Sequence, residues 1–219
     1  MNTIDRDSPL SASSLQPTIT AFSVERQVST PEVAVAILDK DRIAAGLLLS
    51  LSFLVGCTID DVKIEKVSRI HPPRRNQGLI DFKVTFRLPT EVQVHVGICV
   101  LTNPDLTGSI EQCRQLLVYK DFGLDRLCII RQGDFMTNIS QLRGCFAKLL
   151  SPDIGGIFVS LTPDDVLTII TTLSTFQNKE QYAVTNKSIS TYLKHPETIA
   201  ANSFIHQIIQ GVKLTFAIE

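Results

Sequence analysis

The stretch Gly78–Gln132 constrains this chain more than any other. Gly78-Leu-Ile-Asp-Phe-Lys-Val-Thr-Phe-Arg-Leu88 alternates apolar and polar residues over the length of a strand, and Glu91-Val-Gln-Val-His-Val-Gly-Ile-Cys-Val-Leu101 does so again. Pro89-Thr90 predicts a tight link between them, hence an antiparallel hairpin. Alternation puts Ile80, Phe82, Val84, Phe86 and Leu88 on one face of the first strand, with Asp81, Lys83, Thr85 and Arg87 on the other. The second strand turns Val92, Val94, Val96, Ile98 and Val100 inward, with Glu91, Gln93, His95, Gly97 and Cys99 opposite. After an Asn103-Pro-Asp turn and a Gly108-Ser109 cap, Ile110, Cys113, Leu116 and Leu117 are spaced for a helix over about 109–122. Leu127-Cys-Ile-Ile-Arg131 is then short and apolar throughout, as a strand covered on both faces is. A hairpin that leads through a helix into a doubly covered strand requires a mixed sheet.

Upstream, Thr30-Pro31-Glu32 supplies a hydroxyl cap, a proline at the first helical position and an acid in the first turn. The helix it starts is predicted to reach Val55 and stop at Gly56. Asp60–Ile70 alternates as a strand, with Val62 and Ile64 against Lys63 and Glu65, and His71–Gly78 reads as a loop. Downstream come a helix over about 139–150, a strand at Gly155–Leu161, and a further helix opened by Thr162-Pro163-Asp164-Asp165. From residue 91 onward this is a βαβ series, which implies parallel strands joined by right-handed crossovers. Helices at about 188–194 and 197–212, split by His195-Pro196, are expected to pack on the sheet or mediate association. Residues 1–29, rich in Ser, Thr, Gln and Pro without an apolar period, read as a disordered or loosely docked tail. The chain thus divides into a tail (1–29), an α/β core (30–176) and a C-terminal helical extension (177–219).

A length of 219 residues suits one medium domain, and a net charge of -1 excludes a global basic field for nucleic acid while leaving room for local patches. The 5 cysteines are odd in number and lack C-x-x-C spacing, so they read as reduced, buried thiols of a cytoplasmic protein. The 4 histidines supply no zinc spacing. The polar N-terminus is unlike a signal peptide, and Ile43–Ile59, at the lower limit for a membrane span and interrupted by Ser50 and Ser52, reads as a core helix. No phosphate-loop, dinucleotide or Gly-x-Ser-x-Gly motif occurs.

The order of helix, three antiparallel strands, helix, strand and helix resembles the PD-(D/E)XK nuclease superfamily, the restriction-endonuclease-like fold, over roughly Thr30–Gln132. In that family the second core strand gives an Asp, the third gives Glu-x-Lys, and the first helix often adds an acid. The resemblance implies a Mg²⁺-dependent DNA endonuclease site, since phosphodiester hydrolysis needs an oxygen-rich hard-metal site beside the phosphate. Asp81 and Gln93-x-His95 stand at the family's catalytic positions. Asp81 with Glu32 would hold the metal, with Glu65 a second choice for the extra acid. Gln93 replaces the usual Glu and His95 replaces the Lys, so the resemblance implies a weakened or inactive site. Such proteins often serve mobile-element, restriction or repair systems beside an ATPase partner. The residues themselves admit plainer roles: a half-exposed strand shows the same polar face as Asp81, Lys83, Thr85 and Arg87, and His95 fits a satisfied sheet histidine.

Lys63, Lys66, Arg69, His71, Arg74, Arg75, Lys83 and Arg87 concentrate on the first two strands and their loop. They suit contacts to DNA phosphates, which position a backbone without reading bases, or a solvated edge. With 3 Tyr, 11 Phe mostly at core spacing and no Trp, nothing suggests base stacking. The alternative function is a non-enzymatic protein–protein interaction module. Residues 91–176 would be its Rossmann-like scaffold, and the C-terminal helices would bind a partner or a second copy.

Overall fold

The computed structural model describes residues 12–36, 38–70, 79–101, 112–117, 119–132 and 140–216. The 71–78 loop with His71, Arg74 and Arg75, and the turn and cap expected at 103–109, lie outside them.

Six strands form one sheet in chain order: β1 (Thr58–Ile59), β2 (Val62–Ser68), β3 (Phe82–Arg87), β4 (Gln93–Leu101), β5 (Arg126–Gln132) and β6 (Ile157–Leu161). β1 to β4 are antiparallel, whereas β4, β5 and β6 run parallel. The expected mixed α/β class is what the chain adopts. The sequence did not suggest β1, which joins β2 through Asp60 and Asp61, both at positive φ (48° and 66°). Two such residues make the hairpin turn whose twist suits the strands, and Asp tolerates that conformation. The β3–β4 link is longer than Pro89-Thr90. The Leu88 amide donates to Val92 O (3.0 Å), the Glu91 amide donates to Leu88 O (2.9 Å), and Glu91 takes φ 63°. That is a three-residue loop closed by a left-handed residue, so Glu91 belongs to the turn and β4 begins at Gln93.

Where the sequence predicts a tail, residues 12–29 form α1 (Ala12–Ser29). It runs directly into a 3₁₀ turn (Thr30–Glu32) and α2 (Val33–Ala36). Thr30 therefore does not cap a helix: its hydroxyl donates back to Arg26 O at 2.7 Å. The single helix expected from Thr30 to Val55 is split, because Asp39 leaves the helical region (φ −94°, ψ 91°) and accepts the Arg42 amide. It thereby caps α3 (Lys40–Phe53). Within the helix expected over 109–122, residues 112–116 are helical and Tyr119–Phe122 form a 3₁₀ turn; further helices are α4 (Ser140–Leu149), α5 (Pro163–Gln177), α6 (Asn186–Leu193), α7 (Pro196–Ala200) and α8 (Ser203–Phe216). Thr162 and Asp165 form the capping box that opens α5, and His195-Pro196 divides α6 from α7 as expected.

One sheet face buries Val84, Phe86, Val96, Ile98, Ile130 and Val159 in a cluster with α3, α5, α6 and α8. Ile189, Leu193, Phe204, Ile205, Ile208, Ile209 and Val212 belong to it, so the C-terminal helices are part of the core rather than an extension. The other face buries Cys99, Leu101, Leu127 and Ile129 under Cys113, Leu116, Tyr119, Phe146 and Leu149. The two crossovers thus cover the same face. Ile80 packs here, not beside Phe82, because it precedes the ladder. At the β6 edge Gln207 accepts from Ser160 N (3.1 Å) and donates to Ser160 O (3.3 Å), occupying backbone groups a foreign strand would otherwise pair with.

Candidate functional site

Among the described residues the crossover cover stops at β4: neither β2 nor β3 contributes a residue to the second cluster, although Thr85 in the middle of β3 is only 6% exposed. Their face on that side carries Lys63, Glu65, Lys66, Lys83, Thr85 and Arg87, and the start of β4 adds Gln93 and His95. The ladder sets their order. Lys63 pairs with Arg87 and Arg87 with Gln93; Lys66 pairs with Thr85 and Thr85 with His95; Ser68 pairs with Lys83 and Lys83 with Gly97. Glu65 shares this face with Lys63 by alternation, and the bulge between Ile64 and Lys66 brings Lys66 to it as well.

Glu65 organises one end. Its carboxylate accepts from Arg87 Nε (2.5 Å) and Gln93 Nε2 (2.7 Å), and Arg87 Nη1 also reaches Glu91 (3.0 Å). The Arg87 hydrogen bond holds the Glu65 carboxyl below the usual carboxylate range. Two carboxylates thus occupy one guanidinium, beside a hollow of about 440 Å³ edged by Thr58, Asp61 and Lys63. Toward the other end the charges change. Lys66, Arg69 and Lys83 make no ion pair among the described residues.

The residues expected to be catalytic are not brought together. Asp81 lies where β3 enters the ladder. Its amide donates to Ile98 O (2.8 Å) and its carboxylate accepts from Val100 N (2.8 Å), so the side chain continues the pairing that the backbone has not yet begun. Lys40 of α3 pairs with it at 3.2 Å. The side chain is only 11% exposed, and burial pushes the carboxyl above its ordinary range although Lys40 and Val100 N–H pull it back. Gln93 is opposite Arg87, six residues along β3 from Asp81, or about 20 Å at ~3.3 Å per residue. His95, opposite Thr85, is about 13 Å away on the same scale.

His95 is held at several points: Nδ1 lies 3.1 Å from Thr85 Oγ1, and its amide donates to the Asp125 carboxylate (2.7 Å). The Asp125 amide returns a bond to His95 O (2.8 Å). Asp125 thereby ties the start of β4 to the approach of β5, a role whose only sequence signal is an acid just before an apolar run. Glu32 is taken by Arg42 at 2.6 Å. No group of three or more His, Cys, Asp or Glu residues suited to a metal ion occurs among the described residues. Asp81 with Glu32, each committed to a cation of its own, does not fit the oxygen-rich shell of Mg²⁺. The buried thiols of Cys99, Cys113 and Cys128 are pushed up by desolvation, which disfavours a thiolate nucleophile.

What the open face can do chemically is attract anions. It holds cations at alternate strand positions, with the acids gathered at one end. Among the described residues no helix is long and apolar enough to cross a membrane. No family model, curated protein or solved structure matches this chain.

Proposed function

We propose that this chain is a binding module that holds a DNA phosphate backbone on the open half of its sheet without cutting it. The carrying observation among the described residues is the β2–β3 face, which lies outside the crossover cover and where Lys66 and Lys83 stand without ion-pair partners, beside Lys63. The order of α3, antiparallel β2–β4, crossover and β5 is compatible with a restriction-endonuclease-like scaffold, in which a partner subunit such as an ATPase would supply further chemistry. Separation of Asp81 from Gln93 and His95 supports the non-cleaving form of that reading.

Fluorescence anisotropy with a labelled DNA duplex, across a salt series, tests it. Phosphate contacts make affinity fall with salt at a slope of about −0.9 per contact. Lys66→Gln and Lys83→Gln should each flatten the slope by about one contact and weaken all sequences alike. DNA incubated with Mg²⁺ or Mn²⁺ should remain intact, with wild type and Asp81→Ala indistinguishable. Absence of binding at low salt would remove the proposal, and cleavage lost in Asp81→Ala would replace it with a working nuclease.

The protein-interaction alternative has an observation of its own. Val28, Val35 and Leu38 are 58%, 72% and 61% exposed along the outer side of α1, α2 and the turn that follows. Concentration-dependent sedimentation that is lost in Val35→Ser with Leu38→Ser would favour it.

A further inference from the structure

On the helical side of the sheet, between α1, α5 and α7, lies a cavity of about 850 Å³. Small-molecule sites commonly span about 300–1,000 Å³. One wall is apolar: Leu15, Ile19 and Phe22 of α1, with the Phe22 ring tilted against Tyr192 at a centroid distance of 4.3 Å. The floor is α5, which presents Thr168, Thr171 and Thr172 at helical spacing. Thr168 Oγ1 accepts from Arg26 Nη1 (3.2 Å), and the Thr172 hydroxyl donates to Thr168 O (2.9 Å). Thr171 is 3% exposed, and its hydroxyl has no hydrogen-bond partner among the described residues. A buried hydroxyl in that state is unfavourable and is relieved by any group that can bond it.

The charges of the cavity restrict what enters. Arg26 is bound to Asp164 as well as to Thr168, which leaves its guanidinium committed. Glu197 and His195 also line the cavity, both exposed at the start of α7. None of the charged residues in the lining is buried, so an ion against the apolar wall would meet no desolvated counter-charge.

We propose that this cavity binds an uncharged amphipathic small molecule, its apolar body against Leu15, Ile19 and Phe22 and a hydroxyl or carbonyl group bonded to Thr171. The site is independent of the open sheet face and stands or falls separately from DNA binding.

Three probes of one shape test it: naphthol, naphthoate and naphthylmethylammonium, titrated into the full chain and followed by chemical-shift change and thermal shift. Naphthol should bind saturably and at least about tenfold more tightly than either charged probe. Thr171→Val should keep or raise the ligand-free melting temperature, because it removes an unpaired buried hydroxyl, yet weaken naphthol about tenfold. A purely structural threonine would not move those two readouts in opposite senses. Ala201→Phe, at an exposed turn on the cavity rim, should block entry and leave the melting temperature unchanged. Tighter binding of a charged probe overturns the uncharged class. No saturable binding up to millimolar concentration, or unchanged naphthol affinity in both variants, overturns the site.

Discussion

β5 is covered on both faces, whereas β2 is covered on one, and the two strands show what that does to a sequence. Leu127, Cys128, Ile129 and Ile130 are all buried without alternation, as a parallel strand between two helical layers must be. β2 instead buries Val62 and Ile64 and leaves Lys63 exposed and Glu65 half-buried. β4 belongs to both regimes: Gln93 is exposed and His95 half-buried, and every residue from Val96 to Leu101 is buried. Burial on both sides leaves no position for a charged group, so stability concentrates in the parallel half. Side chains able to meet a ligand concentrate in the antiparallel half. The sheet changes direction and changes task at the same strand.

The largest expected effect tests that division directly. Phe146 of α4 is fully buried in the cluster that covers the parallel strands, and Phe146→Ala should lower unfolding free energy by about 3–5 kcal/mol. Lys83→Ala, on the open face, should stay within about 0.5 kcal/mol. Urea denaturation of both variants measures the contrast. Comparable losses would mean that the open half is structural and the comparison is mistaken.

Asp81 sits at the boundary, and its effect should be intermediate and dependent on pH. Its native pKa is raised, chiefly by burial, so the native state holds this proton more tightly than the unfolded chain. Stability attributable to Asp81 is therefore greatest at low pH. It falls as pH rises from about 4, where the unfolded carboxyl ionises, through the raised native value. Asp81→Asn keeps an acceptor for Val100 N–H but has no proton to lose. Its stability relative to wild type should rise across that interval. The opposite trend would show that Lys40 outweighs burial, and that the ion pair rather than the backbone bond holds the entry to β3.

Much of this architecture is legible in local patterns: the β3–β4 hairpin, the crossovers, the capping box at Thr162 and the break at His195-Pro196 all have short-range signals. α1 has none of that kind. Its buried seam runs Leu15, Thr18, Ala21, Phe22, Glu25 and Ser29, a helical spacing in which three of six positions are polar. Glu25 is tolerated there because Tyr182 Oη (2.8 Å) and Asn178 Nδ2 (2.9 Å) bond it from about 150 residues away. An apolar period cannot reveal a helix that buries polar groups against distant partners. α1 also explains the displaced helix start: once Ser29 is helical, Thr30 follows a helix instead of opening one, and Asp39 becomes the next available cap. The spacing of the candidate residues was hidden for a different reason. Alternation assigns faces, not offsets along the ladder, and Asp81 with Gln93 looked compatible on faces alone. A hairpin closed at Pro89-Thr90 already sets the end of β3 beside the start of β4 and leaves Asp81 at the far end, so that separation could have been read from the loop.

The smallest expected effect on stability is also the one that refines the picture of the open half. Glu65 ties Arg87 and Gln93 together at the acidic end of an otherwise cationic face. Glu65→Gln preserves shape and one hydrogen bond while removing a negative charge, so the melting temperature should hardly move. DNA affinity should rise a few-fold at low salt and converge with wild type as screening increases. The wild-type carboxyl titrates below its usual range, chiefly because of Arg87. Its contribution persists above the unfolded value of about 4.3 and is lost only as pH falls through the lowered native one. At neutral pH the wild type should therefore show the full restraint of Glu65 on Arg87. Weaker rather than stronger binding in Glu65→Gln would reverse the assignment: the Glu65–Arg87 contact would then be what shapes the face for its ligand, and free lysines alone would not account for recognition.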